Sequence, residues 1–453
     1  MHRLNYITFV LTFVFVLTAC QPSASAPAQV PTQPVTKLRF TYWGSDMEKA
    51  AIEQMVAAFE KANQDVDIEP IHIPYEGYIA QVTAMMQNDE APDVGYLLGL
   101  QAPLWAQEGK VLDLTDLIQN DPLLSTTLLA TRYYYAPGRV AGVNTAVEAT
   151  FMFYNKALFD EAGVPYPPSD PARAWTWDEF VTAAQKLTRD ANGKHPGEDG
   201  FDPESISTYG IAFDKTYEGW TFYPFIFSNG GQLVNDDGTR LLLDSPEATE
   251  AMQKMADLMW VQHVAPTPMQ DQNLPGYVTM LQTGNLAMHI SGHWSLLDYA
   301  SVEDLQFGVA VLPKFKEPVT VVLGSPTVIF AGTQNKDAAI RFYKFHNNPE
   351  VVDLFARGLW MPLQKAYYTE PDKMNIWLDN PAHPVEMRLA FTDYVVNYSV
   401  PLPSYYLRNY AEVLDVALRP AINSIWNNEA SAADAFAEAV KTAGPLMQGR
   451  WDR

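Results

Sequence analysis

The sequence contains very little cysteine and an unusually small share of positive charge. Cys20 is the only cysteine among 453 residues, which excludes an intrachain disulfide, a zinc site built from several thiolates, and a Cys-x-x-Cys redox motif. Lys and Arg total 30 against 53 Asp and Glu, a net charge of −23, and no basic run interrupts this balance. Such a chain repels phosphate backbones and anionic headgroups, so nucleic-acid binding is not expected.

Motifs of the common hydrolases are also missing. The chain has neither a Gly-x-Ser-x-Gly elbow nor a His-Glu-x-x-His pair. A glycoside hydrolase needs two carboxylates about 5 to 9.5 Å apart across the scissile bond, and the sequence singles out no such pair. His289 and His293 are four residues apart, but a predicted strand over 286–291 runs into a glycine turn, so their side chains should diverge. We therefore expect no enzymatic activity, no cofactor and no metal site.

What the chain does contain is enough apolar material for large cores. Hydrophobic residues make up 47% of the sequence. At about 150 residues per domain, the length predicts two or three folded units. A disordered chain is excluded.

The N-terminus resembles an export signal. Residues 6–19 are an uncharged apolar stretch, shorter than the roughly 20 residues that span a bilayer as a helix. The four residues that end in Cys20 resemble the bacterial lipobox, in which the cysteine becomes the first mature residue and carries a lipid on its sulfur. An ordinary signal peptide with an incidental cysteine is the alternative. We expect a lipoprotein signal peptide at 1–19, and an exported protein anchored to the cell membrane.

A proline-rich tether follows the lipobox. Residues 21–37 hold four prolines and no aromatic residue, so they cannot form a core. Extended at about 3.1 Å per residue, they would place the folded body some 50 Å from the lipid surface. We expect residues 20–37 to comprise the lipidated Cys20 and this tether.

The body alternates strand-like and helix-like segments. Strands are predicted at 38–43, 66–73 and 93–98, with helices at 47–62, 78–86 and 104–109 between or after them. Strand, helix and strand within about 35 residues form a βαβ unit, which predicts a parallel sheet covered on both faces. Ligands of such α/β folds bind beyond the carboxyl ends of the strands.

Several segments together resemble the sugar-binding family 1 of extracellular solute-binding proteins of ABC importers. Their order and spacing carry the resemblance. They are FTYWG at 40–44, AFEKAN at 58–63, APDV at 91–94, FYNKALF at 153–159, TWDEF at 176–180, NGG at 229–231, DSPEA at 244–248, GNLAM at 284–288 and GHW at 292–294.

The resemblance implies a periplasmic-binding-protein-like α/β fold, with two α/β lobes joined by a hinge that the chain crosses more than once. We place the crossings near Val147, Phe307 and Pro362. Lobe 1 would then hold 38–147 and 308–362, and lobe 2 would hold 148–307 and 363–453. The implied protein is a monomer that captures a carbohydrate by hinge closure and delivers it to membrane permease subunits.

A sugar presents hydroxyl groups at its rim and flat C–H faces, so its receptor needs both polar groups and aromatic rings. Indoles at predicted loop or strand ends are candidates, whereas Trp105, Trp177, Trp260 and Trp426 lie on helical patterns and are expected in the core. The candidate ligand-binding residues are Trp43, Tyr78, Glu148, Tyr217, Trp220, Trp294, Gly324, Ser325, Trp360 and Tyr406. The family resemblance supports the Tyr217–Trp220 pair and the loop of Trp294 in particular.

Other ligands remain alternatives. Peptides also suit aromatic clefts with backbone donors. Relatives that bind glycerol phosphates would be expected to have a phosphate-binding Arg where this chain has Tyr406, although Arg408 is close by. A phosphorylated ligand is therefore disfavoured, and a secreted glycan-active enzyme is the less favoured rival.

Overall fold

The computed structural model describes residues 35–216 and 218–453, so the predicted signal peptide, Cys20 and Tyr217 lie outside the described residues. The strands are β1 (Thr36–Tyr42), β2 (Val66–His72), β3 (Val94–Tyr96), β4 (Arg132–Ala136), β5 (Arg139–Asn144), β6 (Glu148–Asn155), β7 (Arg189–Asp190), β8 (Ile206–Phe213), β9 (Leu286–Gly292), β10 (Phe307–Ala310), β11 (Thr320–Leu323), β12 (Pro326–Ile329) and β13 (Ser399–Pro401). Because β1 begins at Thr36, the end of the predicted tether already belongs to the first strand.

Helices separate most of these strands. They are α1 (Asp46–Ala62), α2 (Tyr78–Gln87), α3 (Gln101–Gln107), α4 (Thr115–Asn120), α5 (Lys156–Ala162), α6 (Trp177–Leu187), α7 (Tyr223–Ser228), α8 (Pro246–Trp260), α9 (Pro268–Asp271), α10 (Tyr277–Gln282), α11 (Ser295–Ala300), α12 (Lys336–His346), α13 (Ala366–Thr369), α14 (Pro371–Leu378), α15 (Met387–Asn397), α16 (Tyr410–Val413), α17 (Arg419–Trp426) and α18 (Ala432–Ala443). Short 3-10 turns occur at Leu124–Thr126, Leu129–Thr131, Pro171–Arg173, Pro403–Tyr405 and Gly444–Leu446, and a π-helical turn at Leu414–Leu418. None of the helices in the described ranges combines the length and apolarity needed to cross a bilayer.

The strands form two sheets, one in each α/β lobe. The first has the order β2-β1-β3-β12-β5-β4, and the second has the order β13-β11-β6-β9-β8-β7, with β10 also pairing with β6. The first sheet is parallel only at β2-β1-β3, since β12 runs antiparallel to both β3 and β5. The prediction of a parallel sheet is therefore correct for the βαβ units and wrong for the returning strand and the β4–β5 hairpin.

Local sequence signals set the helix boundaries. At α1, Ser45 is the N-cap: its Oγ accepts the Glu48 amide at 3.3 Å, while the Ser45 amide donates to Glu48 Oε2 at 2.5 Å. Thr176 and Glu179 make the same reciprocal pair at α6. This capping box satisfies amides that would otherwise lack a partner, and it fixes where the helix begins.

Each sheet is buried beneath aromatic and aliphatic side chains. In the first lobe Phe40 meets Phe342 edge-on at 5.0 Å, and in the second Phe151 stacks on Phe391 at 4.1 Å. The prediction that helix-borne indoles lie in the core is confirmed for Trp105, Trp177 and Trp426, which are 3%, 6% and 2% exposed, whereas Trp260 is only partly buried.

The chain passes between the sheets in three places. The first passage, 145–147, joins β5 to β6, next to the predicted Val147. The second joins β11 to β12 at Gly324 and Ser325, and not near Phe307, because β10 and β11 hydrogen-bond to β6 in the second sheet. Residues 308–323 therefore belong with the second sheet, which corrects the predicted lobe boundary.

The third passage follows Gln364, which still bridges to Thr127 in the first lobe. After it, α15 packs on β10 and β11. The first passage hydrogen-bonds to the second, since the Thr145 amide donates to Ser325 O at 2.8 Å. It also hydrogen-bonds to the segment that leads into the third, since the Val147 amide donates to Met361 O at 2.9 Å. These segments form a single hydrogen-bonded hinge.

Candidate functional site

A cavity of about 430 Å³ lies between the two lobes, directly above this hinge. Thr145, Gly324 and Ser325 contribute hinge residues to its lining. Both lobes supply the rest. The lining residues are Trp43, Glu48, Ile52, Tyr75, Tyr96, Leu98, Gly99, Leu100, Thr145, Glu148, Glu218, Trp220, Trp294, Leu323, Gly324, Ser325, Trp360, Leu402, Pro403, Ser404, Tyr405, Tyr410 and Leu414.

The first lobe contributes an aromatic wall built around Trp43. This indole follows β1 and meets Tyr75, Tyr78 and Tyr96 edge-on, with ring centroids 5.5, 4.8 and 5.3 Å away. Edge-to-face packing fixes the indole plane because ring edges are positive and ring faces negative. Trp43 therefore reaches the cavity in a set orientation.

The second lobe contributes a pair of indoles. Trp220 and Trp294 meet edge-on at 5.2 Å, and each follows the carboxyl end of a central strand, β8 and β9 respectively. Gly292 makes this arrangement possible, since a Cβ there would lie 1.9 Å from the Trp294 ring. The Trp220 carbonyl accepts the Thr150 hydroxyl at 3.0 Å, which attaches its loop to β6.

Trp360 lies in the segment of the first lobe that leads into the third passage. Its ring packs on His346 at 4.6 Å and on Phe355 at 5.5 Å, so the first lobe supports it. Across the cleft, the neighbouring Leu359 carbonyl hydrogen-bonds with His293 Nε2 at 2.7 Å. The indole therefore closes one side of the cavity at the boundary between the lobes.

The hinge forms the cavity floor through a network of tyrosines. Tyr133 donates to Gly324 O at 2.6 Å, and its ring lies 4.3 Å from that of Tyr405. The Asn144 amide donates to Leu323 O and to the Tyr405 hydroxyl, both at 2.9 Å. Gly324 has φ +136°, a region that favours glycine, and an added Cβ would lie 2.8 Å from Asn144 Nδ2.

Among the described residues, three carboxyl groups face the cavity. Burial raises the pKa of Glu148 to about 8, and the nearby Glu48 carboxylate adds to the effect. Burial also raises the pKa of Glu48 against the lowering effect of its bonds to Ser45. Glu218, at the mouth, has a pKa raised by desolvation, although Arg419 and a hydrogen bond from Tyr75 oppose this rise.

Tyr75 and Glu218 therefore interact across the two lobes, since Tyr75 follows β2 in the first sheet and Glu218 follows β8 in the second. The cavity is therefore bounded by the hinge below and by a polar contact across its mouth.

Seven of the ten predicted site residues line this cavity: Trp43, Glu148, Trp220, Trp294, Gly324, Ser325 and Trp360. Tyr78 does not line it. Its ring is fully buried behind Trp43, and its hydroxyl donates to Thr41 Oγ1 at 2.8 Å and to Tyr96 O at 3.0 Å. Tyr217 lies outside the described residues.

Tyr406 does not line the cavity either. The 3-10 turn Pro403–Tyr405 directs Tyr405 to the cavity, whereas the Arg450 guanidinium lies 3.9 Å from the Tyr406 ring centroid. Arg408 packs on Trp451 at 5.1 Å and donates to Arg450 O. Neither arginine lines the cavity, and no other basic residue does so in the described part of the chain.

Sequence reasoning missed Glu48, Tyr75, Tyr96, Glu218, Ser404, Tyr405 and Tyr410. Glu218 lies two residues before Trp220, and this proximity to a predicted site residue could have indicated that Glu218 also lines the cavity. Tyr75 follows β2 in a loop just as Trp43 follows β1. Tyr410 and Leu414 reach the cavity from the C-terminal helices of lobe 2. The π-helical turn at Leu414–Leu418 changes which side chains of this segment face the cavity. The 3.6-residue periodicity of a helical sequence does not predict such a turn.

The two histidines make separate structural contacts. His289 Nδ1 hydrogen-bonds with the Tyr299 hydroxyl at 2.6 Å, while His293 reaches Leu359 O. Burial lowers the pKa of His289 to about 3 and that of His293 to about 4.

Residues 43–353 match the model of the bacterial extracellular solute-binding proteins, more than half of the chain. The chain belongs to this family. The resemblance stated from the sequence is thereby confirmed, and so is the two-lobed α/β fold.

Named relatives agree with this assignment. An arabinooligosaccharide-binding protein of Halalkalibacterium halodurans is 25% identical over 347 residues, covering 72% of this chain and 71% of that protein. The arabinooligosaccharide-binding protein of Bacillus subtilis is 22% identical over 449 residues, covering 92% and 93%. Among solved structures, the ABC substrate-binding protein Lmo0181 of Listeria monocytogenes in complex with cycloalternan aligns with a TM-score of 0.73 at 22% identity, over 90% of this chain and 97% of that one.

Proposed function

We propose that this solute-binding protein captures a sugar or oligosaccharide between its lobes and delivers it to the permease of an ABC importer. One observation carries the proposal: four indoles from both lobes converge on a single cavity that also holds carboxyl and backbone polar groups. Indole faces stack on the C–H faces of a sugar, and the polar groups pair with its hydroxyls. The names of the arabinooligosaccharide-binding relatives support this class of ligand.

Capture would proceed by rotation of the lobes about the three-segment hinge. In an open form, Trp43 and the Trp220–Trp294 pair would face water on separate lobes, and the Tyr75–Glu218 contact would be broken. A ligand that touches both walls favours the closed form by its differential affinity for that form. The protein would act as a monomeric receptor without cutting its ligand, and the closed form would dock on the permease.

The N-terminal region completes the proposal. Cys20 would carry the lipid, and the tether would hold the receptor near the permease on the outer face of the cell membrane.

The ligand class can be tested by calorimetry. The mature protein would be titrated with a panel of neutral and amino-substituted oligosaccharides and with a peptide pool, while tryptophan emission is followed in parallel. Saturable binding of at least one sugar with a change in emission is expected. Binding of peptides alone would refute the proposal.

A variant series distinguishes stacking from general destabilisation. Trp220→Ala and Trp294→Ala should each weaken sugar binding. Trp175→Phe is the matched control, because Trp175 is partly buried in the second lobe but does not line the cavity. Equal losses in all three variants would argue against indole stacking.

A further inference from the structure

Every charged side chain that lines the cavity is acidic. In the described ranges these are Glu48, Glu148 and Glu218, and the lining contains no Lys, Arg or His. The negative electrostatic potential of these carboxyl groups is strengthened in a narrow cavity with low-dielectric walls, because water screens charges poorly there. The cavity therefore favours a ligand with positive charge and disfavours phosphate.

Protein groups favour the ionised form of two of these three carboxyls. Glu48 Oε2 accepts the Ser45 amide at 2.5 Å, and Arg419 and the Tyr75 hydroxyl lower the pKa of Glu218 against its desolvation. Glu148 differs, since no described residue donates a hydrogen bond to its carboxyl, which is partly buried at the start of β6. A desolvated carboxylate that accepts no hydrogen bond raises the free energy of the folded protein. A ligand that donates a hydrogen bond to Glu148 would therefore gain more binding free energy than one that donates to Glu48 or Glu218.

Tyr96 gives a second, independent indication of a polar ligand at this point. Its side chain lines the cavity and is 4% exposed, yet its hydroxyl has no hydrogen-bond partner among the described residues. The carboxyls of Glu48 and Glu148 lie close enough to raise its pKa further, after burial. An unpaired hydroxyl and an unpaired carboxyl thus face the same part of the cavity.

The walls suit a cation as well as a sugar ring. A positive charge is attracted to the negative face of an aromatic ring, most strongly to indole. Trp43, Trp220, Trp294 and Trp360 all reach this cavity. A neutral sugar would use only these ring faces, whereas a sugar bearing an ammonium group would also pair with the ionised form of a cavity carboxyl.

We infer that the ligand is a sugar or oligosaccharide that carries a protonated amine, with the ammonium group hydrogen-bonded to the Glu148 carboxylate. This inference rests on the proposed sugar-binding function. The raised pKa of Glu148 fits this inference, since burial disfavours the ionised carboxyl and a bound ammonium group gives it a charge-assisted partner. Binding near neutral pH should then release a proton to solvent.

The test is a calorimetric comparison of matched pairs at pH 7. Glucosamine, galactosamine, mannosamine and a β-1,4-linked glucosamine trimer are each paired with the sugar that has hydroxyl in place of amine. The N-acetylated trimer serves as a neutral amide, and choline and spermidine as amines without a sugar. At least one amino sugar is expected to bind tenfold or more tightly than its partner.

The outcomes separate this inference from the proposed function. If the neutral sugars bind as tightly as the amino sugars, the inference is overturned while sugar binding stands. If no sugar of either kind binds, both fail. If only choline or spermidine binds, the ligand is a plain amine and the inference is again overturned.

Glu148→Gln supplies the residue-level test. It should reduce the preference for the amino sugar over its partner at least tenfold, and it should abolish the proton release measured in buffers of different ionisation enthalpy. Glu438→Gln is the matched control: it makes the same substitution at an exposed side chain of α18. An unchanged preference in the Glu148 variant would overturn the inference, and the ligand panel stands independently should that variant not fold.

Discussion

Replacing Glu148 by glutamine should remove a pH-dependent destabilisation of the folded protein. The pKa of Glu148 rises from its ordinary 4.5 to about 8 because burial penalises the charged form. At pH 5 the folded carboxyl is protonated and the unfolded one mostly ionised. Between pH 5 and 8 the unfolded chain therefore binds fewer protons, so the free energy of unfolding falls as pH rises, by up to about 1.4 kcal/mol per pH unit.

The size of the effect follows from the exposure of the group. Full desolvation would give about 4 kcal/mol between pH 5 and pH 8. Water reaches Glu148 partly through the cavity, and screening should halve the effect, to roughly 2 kcal/mol. Glutamine has no such titration, so Glu148→Gln should gain about that much stability relative to the wild type as the pH rises from 5 to 8.

Urea unfolding at pH 5 and pH 8, followed by tryptophan emission and circular dichroism, measures this difference. Glu438→Gln is again the control and should change stability equally at both pH values. If the wild type and Glu148→Gln differ by the same amount at pH 5 and pH 8, Glu148 does not titrate in this range and the electrostatic account of the cavity is refuted.

Three further predictions concern the walls, the floor and the mouth of the cavity. Trp294→Ala should weaken sugar binding about tenfold in calorimetry, because one stacking face is lost; unchanged affinity would contradict its proposed role. Gly324→Ala should lower the free energy of unfolding by about 1 to 3 kcal/mol, more than Gly109→Ala, since both have positive φ but only Gly324 has a close neighbour; equal losses would contradict this. Tyr75→Phe should increase the radius of gyration of the ligand-free protein in X-ray scattering, because it removes the hydroxyl that interacts with Glu218 across the lobes. Tyr166→Phe, whose hydroxyl bonds within the second lobe, should not; superimposable curves for Tyr75→Phe and the wild type would argue against closure by this contact.

Local signals predicted those parts of the fold that depend on local chemistry. The helices α1 and α6 begin at capping boxes of four consecutive residues, and the centre of β6 is the apolar run 151–154, so both kinds of element have a local sequence signal. The second hinge passage was misplaced because β10 and β11 pair with β6 through contacts between residues far apart in the sequence. A short segment of sequence cannot reveal this pairing, because its partner strand lies far away along the chain.

The candidate site divides in the same way. Trp43, Trp220 and Trp294 follow strands, and the carboxyl ends of strands are where α/β folds place ligands, so their position in the sequence predicts that they line the cavity. Tyr78 and Tyr406 lie away from the cavity because a helix phase and a single 3-10 turn decide which of two neighbouring aromatic rings faces the cleft. Glu48 was missed because its role as a capping residue is visible in the sequence and its proximity to Glu148 is not.

The division of the cavity between two lobes has a consequence for unloading. Trp43 and Tyr75 lie on one lobe, and Trp220 and Trp294 lie on the other. Neither lobe alone therefore carries the complete set of aromatic residues that line the cavity. A transporter that rotates the lobes apart by a few degrees would remove the ligand contacts made by one lobe. The ligand would then dissociate without the breaking of any covalent bond.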